Sequence, residues 1–175
     1  MRRTTALITA AVAAITLLAG TAQAAAHPAA GPRPTSGQKP VLAYYVSDNG
    51  QALHVVAEQR PIQRTKAPAR AAIGEALKKP YGRGLATMAP TGARVLGVSL
   101  KDRVLTVDLS KQVRRNPGVG GAGEDAFAQQ LAHTAAQFSS IDAVRLHVEG
   151  KAVRTLWGHR DWSQPVRPDT SRIAG

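Results

Sequence analysis

The chain has 175 residues, 43% of them hydrophobic and 19% charged, which is material for one domain with a packed core and excludes wholesale disorder. Aromatic residues make up only 4%, so the core must be mostly Val, Leu, Ile and Ala, and with no cysteine it is held by packing alone. A formal charge of +12 implies attraction to polyanions, which outside a cell are wall polymers, anionic lipid surfaces and stray nucleic acid. The basic residues are scattered rather than massed, so a purely solubilising role for the charge fits equally well.

Residues 1–24 read as a secretory signal peptide. Arg2 and Arg3 give a positive start, and Ala22-Gln23-Ala24 is an A-x-A cleavage site. The apolar run 6–20 between them is shorter than the roughly 20 residues a membrane-spanning helix needs. No cysteine lies near residue 24 to take a lipid, so the expectation is a secreted, extracellular protein, free or associated with the cell wall. Residues 25–40 are rich in Ala, Pro and Gly without periodicity and read as a flexible linker. Its Ser36-x-x-Lys39 lies in that linker rather than at the head of a helix, so it is set aside as a serine-enzyme motif.

A domain is expected over 41–168. Asp48-Asn49-Gly50 separates two β-rich runs, 41–47 and 52–59, and Asn-Gly accepts the positive φ of a tight hairpin turn. Pro68 opens a helix whose Ala72, Ile73, Ala76 and Leu77 share one face, and Pro80 stops it. "ARVLGVSLKDRVLTVDLS" gives two strands around Lys101-Asp102, with Leu96, Val98 and Leu100 on one face and Leu105, Val107 and Leu109 on the apolar face of the second. After the Gly-rich loop 111–123, "EDAFAQQLAHTAAQF" is the clearest helix, with Glu124 and Asp125 in its first turn and His133 on its polar side. A last hairpin turns at Glu149-Gly150, and residues 169–175 read as a disordered tail. Hairpins with two interposed helices indicate an α+β fold of two layers, a largely antiparallel sheet with both helices on one face.

The chemical motifs are thin. His159-Arg160-Asp161 looks like a kinase catalytic loop, but Val166 stands where that loop needs a metal-binding Asn. No serine sits in G-x-S-x-G to complete a triad with His159 and Asp161. Gly118-Val119-Gly120-Gly121-Ala122-Gly123 satisfies G-x-G-x-x-G, yet "KQVRRNP" separates it from the preceding strand, so no dinucleotide is expected. The helix start beside it could take an anion or a partner through Arg114, Arg115, Gly121 and Gly123. The five histidines show no short ligand spacing, and the acids are too sparse for a carboxylate pair. No catalytic residue, cofactor or metal is expected.

The order of these features resembles the GerMN domain of bacterial sporulation and germination proteins and of many actinobacterial envelope proteins. The resemblance rests on "VLAYYVSDNGQALHVVAEQRPI" with its Arg60, on the helix, loop and hairpin of "AIGEALKKPYGRGLATMAPTGARVLGVSLKDRVLTVDLS", on "GGAGEDAFAQQLAHTAAQFSSIDAVRLHVEGKAV", and on the closing "WSQPVRPD". It implies an envelope-associated α/β domain without known catalytic residues, serving in assembly or binding. The chain departs from many members in lacking a lipid-bearing cysteine and from others in having one such domain, not two. The expectation is therefore a monomeric, non-enzymatic binding or assembly module of the envelope, possible partners being an envelope protein or an anionic wall polymer. The alternatives are a secreted wall hydrolase and a non-specific polyanion binder. The segment 156–170 is expected to be a closing clasp, with Trp157 at the end of the last strand and Trp162, Pro165 and Arg167 tying the tail across the domain.

Overall fold

The structure is a computed structural model and describes residues 28–115 and 117–173. The expected signal peptide lies outside the described residues. The element order is β1 (Gln38–Asp48), β2 (Leu53–Gln63), α1 (Pro68–Ala76), β3 (Leu85–Ala86), β4 (Val95–Lys101), β5 (Val104–Leu109), α2 (Gly120–Ala136), β6 (Ala143–Val148) and β7 (Lys151–Ala152). The α+β class built from hairpins is the one observed. The strands divide into two sheets, ordered β2-β1-β3 and β4-β5-β6-β7.

Local chemistry accounts for the hairpins. β1 and β2 pair antiparallel from Gln38↔Gln63 to Asp48↔Leu53, and the connecting turn puts Gly50 at φ +82°. Asp48 and Asn49 accept from the turn's backbone N–H groups at 2.8–3.0 Å. β4 and β5 turn through Asp102 and Arg103, both at positive φ. A bulge between Val95 and Gly97 shifts the β4 alternation. Val95 and Val98 therefore pack on the core, while Leu96, expected on Val98's face, stands 43% exposed.

β5 and β6 pair in parallel, with α2 as the crossover between them. α2 begins at Gly120, four residues before its expected start, so Glu124 and Asp125 lie beyond the first turn. The reason is packing. A Cβ on Gly123 would lie 2.2 Å from the Val119 Cβ, so only glycine lets the chain fold back at this helix start. α2 touches both β1 and β6, and α1 touches β1, β2 and β4, so the helices lie between the sheets rather than on one side of a single sheet. Consequently α2 is buried almost all round. Its Phe127, Leu131 and Ala135 meet Leu105, Val107, Leu109, Val144 and Leu146 in the main core. Its polar Gln130, Thr134 and Gln137 are spent on backbone groups. Thr134 Oγ1 accepts from Tyr44 N (3.0 Å), Gln137 brackets Leu42 N and O (2.8 and 2.6 Å), and Gln130 donates to Ala76 O (2.6 Å).

Both ends of the described chain take part in the fold. Ala29, within the expected linker, exchanges hydrogen bonds with Ala57 O and Gln59 N (2.8 and 3.1 Å). At the other end, Thr170–Arg172 forms a 3-10 turn and Ile173 bridges Val55. No helix among the described residues is long and apolar enough to cross a membrane.

Candidate functional site

Two buried carboxylates organise the polar parts of the molecule. The first is Glu124, fully buried in α2. The loop 156–162 wraps round it. Oε1 accepts from Leu156 N (3.3 Å), Trp157 N (3.1 Å) and the Trp162 indole N–H (2.8 Å), and Oε2 accepts from His159 N (2.8 Å) and Arg160 N (3.2 Å). Burial pushes the Glu124 carboxyl up. The Trp162 indole and the His159, Trp157 and Leu156 N–H groups outweigh burial and hold it below the ordinary carboxylate value.

The expected clasp is therefore present, with a centre that is electrostatic as well as apolar. Trp157 donates its indole N–H to Val113 O (2.8 Å) and lies 5.3 Å from Phe127, while Val166 exchanges two backbone bonds with Val144 (2.8 and 2.7 Å). Trp157 sits in the loop beyond β7, which ends already at Ala152.

His159-Arg160-Asp161 serves this clasp with its backbone. Its side chains line a shallow depression of about 270 Å³ together with Arg154, Thr155 and Gly158. Asp161 accepts from Ser163 N (2.9 Å), and among the described residues the His159 ring bonds to neither of them. The relay of hydroxyl, imidazole and carboxylate that nucleophilic catalysis needs is not formed there. Arg160 pairs with Asp125 instead. His133, expected on a polar face, is 5% exposed. It donates from Nε2 to Asp169 O (3.0 Å) and lies 5.2 Å from the Tyr44 ring. Burial lowers its pKa, against the raising influence of Asp169.

The second carboxylate is Glu58 on β2, also fully buried. It accepts from Arg60 (2.9 Å), Tyr81 N (2.9 Å) and Gly82 N (2.7 Å). Arg60 also reaches Glu75 at 3.1 Å and lies 3.8 Å under the Tyr81 ring. Burial works against the Arg60 charge, and Glu58, Tyr45 and Glu75 outweigh it, raising its pKa.

Glu75 connects this cluster to a groove of about 630 Å³ between α1, the end of β2 and the start of β4. Ile62, Ala71, Leu77, Ala93 and Val95 give it apolar walls, and Arg70, Lys78 and Arg94 give it positive charge. Its one carboxylate, Glu75, is already engaged by Arg60 and by Lys78 at 2.6 Å. Arg70 rests on the carbonyls of Val95 and Leu96 at 3.3 and 3.4 Å, and the Arg94 side chain has no partner among the described residues. The groove therefore carries uncompensated positive charge beside apolar surface. Sequence reasoning missed it because its three cations lie on or beside two elements, α1 and β4, whose approach no local pattern announces.

The residues singled out at the α2 start are distributed differently. Arg114 and Arg115 are exposed at and just after the 3-10 turn Lys111–Arg114, and Gly121 is exposed beside His159. Gly123 is buried under Val119. Among the described residues no three His, Cys, Asp or Glu side chains gather as a metal ion requires.

A two-sheet α+β domain with an internal helix layer, a carboxylate-centred clasp and a cationic, partly apolar groove defines the class. The chain belongs to the Germane family, "Sporulation and spore germination", which matches residues 42–154. The fold is similar to the tandem GerMN domains of the sporulation protein GerM from Bacillus subtilis, with 20% identity and a TM-score of 0.64, covering 82% of this chain and 49% of that one. The chain thus spans about half of that tandem. It is also similar to the first GerMN domain of the same protein (21% identity, TM-score 0.61, 76% of this chain and 98% of that one). A putative lipoprotein from Clostridium perfringens matches at 21% identity and a TM-score of 0.54, over 78% of this chain and 91% of that one. At these identities the likeness is one of fold. No curated protein sequence matches.

Proposed function

We propose that this chain is a secreted, non-enzymatic binding or assembly module of the bacterial envelope, working in a sporulation- or germination-type setting. The observation that carries this reading is the groove between α1, β2 and β4. It offers an occupant apolar walls and unneutralised cations, which is what a recognition surface needs. It offers no base beside a nucleophile, since its carboxylate is engaged by two cations and Thr65 is its one hydroxyl. The family and the likeness to a sporulation protein and a putative lipoprotein support the envelope setting. Arg114 and Arg115 flank the clasp, through the Trp157–Val113 bond, and form a secondary contact in this reading.

The test is capture from envelope extracts with the purified chain, washed at low and high salt. Retention of one envelope component through the high-salt wash is expected, with loss of retention in an Arg70→Glu, Lys78→Glu variant. Release of soluble fragments from purified wall material by the chain alone would overturn the reading in favour of a hydrolase. Retention that vanishes entirely at moderate salt would replace it with non-specific polyanion binding.

A further inference from the structure

The sheet edges are unequal in a way that points to a docking mode. β3 and β7 are two residues long and offer almost no edge. The outer edge of β2 is overlaid by Ala29 at Glu58 and by Ile173 at Val55. The edge of β1 beyond β3 is closed by Thr134 and Gln137 of α2. β4 is different. It is seven residues long, ends its sheet, and has no strand or bridge on its outer side among the described residues. Proteins ordinarily shield or charge such an edge, because its unpaired N–H and C=O groups invite another strand.

Two further features mark this edge as a place for an occupant. β4 carries two leucines, Leu96 and Leu100, that are 43% and 49% exposed. Two of its carbonyls, those of Val95 and Leu96, are held by Arg70 at 3.3 and 3.4 Å, long contacts from an exposed side chain that an incoming backbone could replace. The start of the strand opens directly into the groove, whose lining includes Arg94 and Val95.

Charge selects the occupant. Arg94 precedes the strand and Lys101 ends it, and neither side chain has a partner among the described residues. In an antiparallel pairing of two copies of β4, Arg94 of one strand would approach Lys101 of the other, placing like charges opposite each other. A net charge of +12 adds to that repulsion. An extended segment with acidic residues meets the opposite situation, and its apolar side chains have Leu96, Leu100 and the groove walls to pack on.

We infer that β4 accepts, by strand addition, an extended acidic–apolar peptide segment of a partner protein, with its acidic side chains at Arg70, Arg94 and Lys101 and one apolar side chain in the groove. This rests on the binding-module reading and names the partner class and the docking mode.

The test uses the purified chain and a displayed library of random 12-residue peptides. Enriched peptides are expected to alternate acidic and apolar residues, and on binding to shift the amide resonances of β4 and α1. In a synthetic copy, N-methylating one alternate set of amides is expected to abolish binding, and N-methylating the other set to preserve it, because only alternate amides face an edge. Arg94→Glu with Lys101→Glu is expected to weaken binding about tenfold at an unchanged melting temperature. The inference is overturned if no peptide is enriched, if enriched peptides are not acidic or map elsewhere, if both N-methylated forms bind alike, or if the double reversal leaves affinity unaltered. It is also overturned if inorganic polyphosphate displaces the peptides as effectively as they displace one another. Envelope capture that persists in the Arg94, Lys101 variant while the peptide test fails removes the docking mode alone; absence of any capture removes the binding-module reading itself.

Discussion

Glu124 and Glu58 are equally sealed from solvent, yet they retain their place by different means. Glu58 has a cation against it beside the backbone N–H groups of Tyr81 and Gly82, and Arg60 is in turn shared with Glu75 and stacked on Tyr81. Glu124 has five neutral donors, four backbone N–H groups and one indole, all supplied by the loop 156–162. An ion pair can be exchanged for an apolar pair of similar volume, because both charges leave together. A carboxylate held by neutral donors alone has no such exchange, since four of Glu124's five donors belong to the main chain and stay behind unsatisfied. The first arrangement is a local bracing of β2 against α1. The second makes the whole C-terminal segment depend on one side chain.

That contrast can be broken most directly at Glu124. Glu124→Ala strands five donors, three of them in buried bonds, and is expected to cost about 4 kcal/mol, about 10 °C in melting temperature. A loss no larger than that of an average core truncation would show that the loop holds without its centre. Trp157→Ala should cost about 3 kcal/mol, since it removes both the ring contact with Phe127 and the bond to Val113. An unchanged melting temperature there would count against the clasp. Glu58→Ala is also expected to cost about 3 kcal/mol by leaving Arg60 buried with reduced compensation. Adding Arg60→Met to it should recover part of the loss, and a double-mutant cycle measures how much. If the second substitution instead deepens the loss, the two glutamates are alike after all.

A pH series sharpens the same comparison with a smaller effect. The folded-state pKa of Glu124 is depressed relative to its unfolded value. Its contribution is therefore fully present above the unfolded pKa and is lost as pH falls through the folded one. The gap between wild type and Glu124→Gln in chemical denaturation should hold steady from neutral pH to about 5 and narrow below that. A gap that widens on acidification has the wrong sign. Smallest of all, Asp161→Ala should leave the melting temperature within measurement error, because its carboxylate faces Ser163 at the surface rather than the clasp interior.

How much of this was legible in the sequence follows the range of the forces involved. The Asn49-Gly50 turn, the Pro68 helix start and the β4–β5 hairpin were visible because each is decided by a few adjacent residues. The alternation of Leu96, Val98 and Leu100 misled at one point. A bulge shifts the register without leaving a mark in the pattern of hydrophobic residues. The parallel pairing of β5 with β6 was also hidden, since hairpin-like spacing around each strand says nothing about which distant strand lies beside it. Helical spacing puts His133 on a polar face, yet it is buried, because a helix enclosed on all sides hides some of its polar residues and their partners come from elsewhere in the chain.

The candidate sites divide along the same line. Tryptophans gathered near the C-terminus pointed to a clasp before any contact was known. The groove did not announce itself, because Arg70 and Arg94 are 24 positions apart and meet only when α1 packs beside β4. Glu124 was legible as an acid near a helix start and not as the acceptor of five donors.

By itself, the sequence determined the fold class, most strand and helix positions, the absence of disulfides and the excess of positive charge. These depend on local backbone preference and composition. Only the tertiary structure decided that the helices lie between two sheets, that one glutamate gathers the closing loop, and that, among the described residues, β4 is left as a long edge with no strand beside it, next to a cationic groove. Those outcomes depend on which distant surfaces meet, and the free energy of that meeting is written in no short stretch of residues.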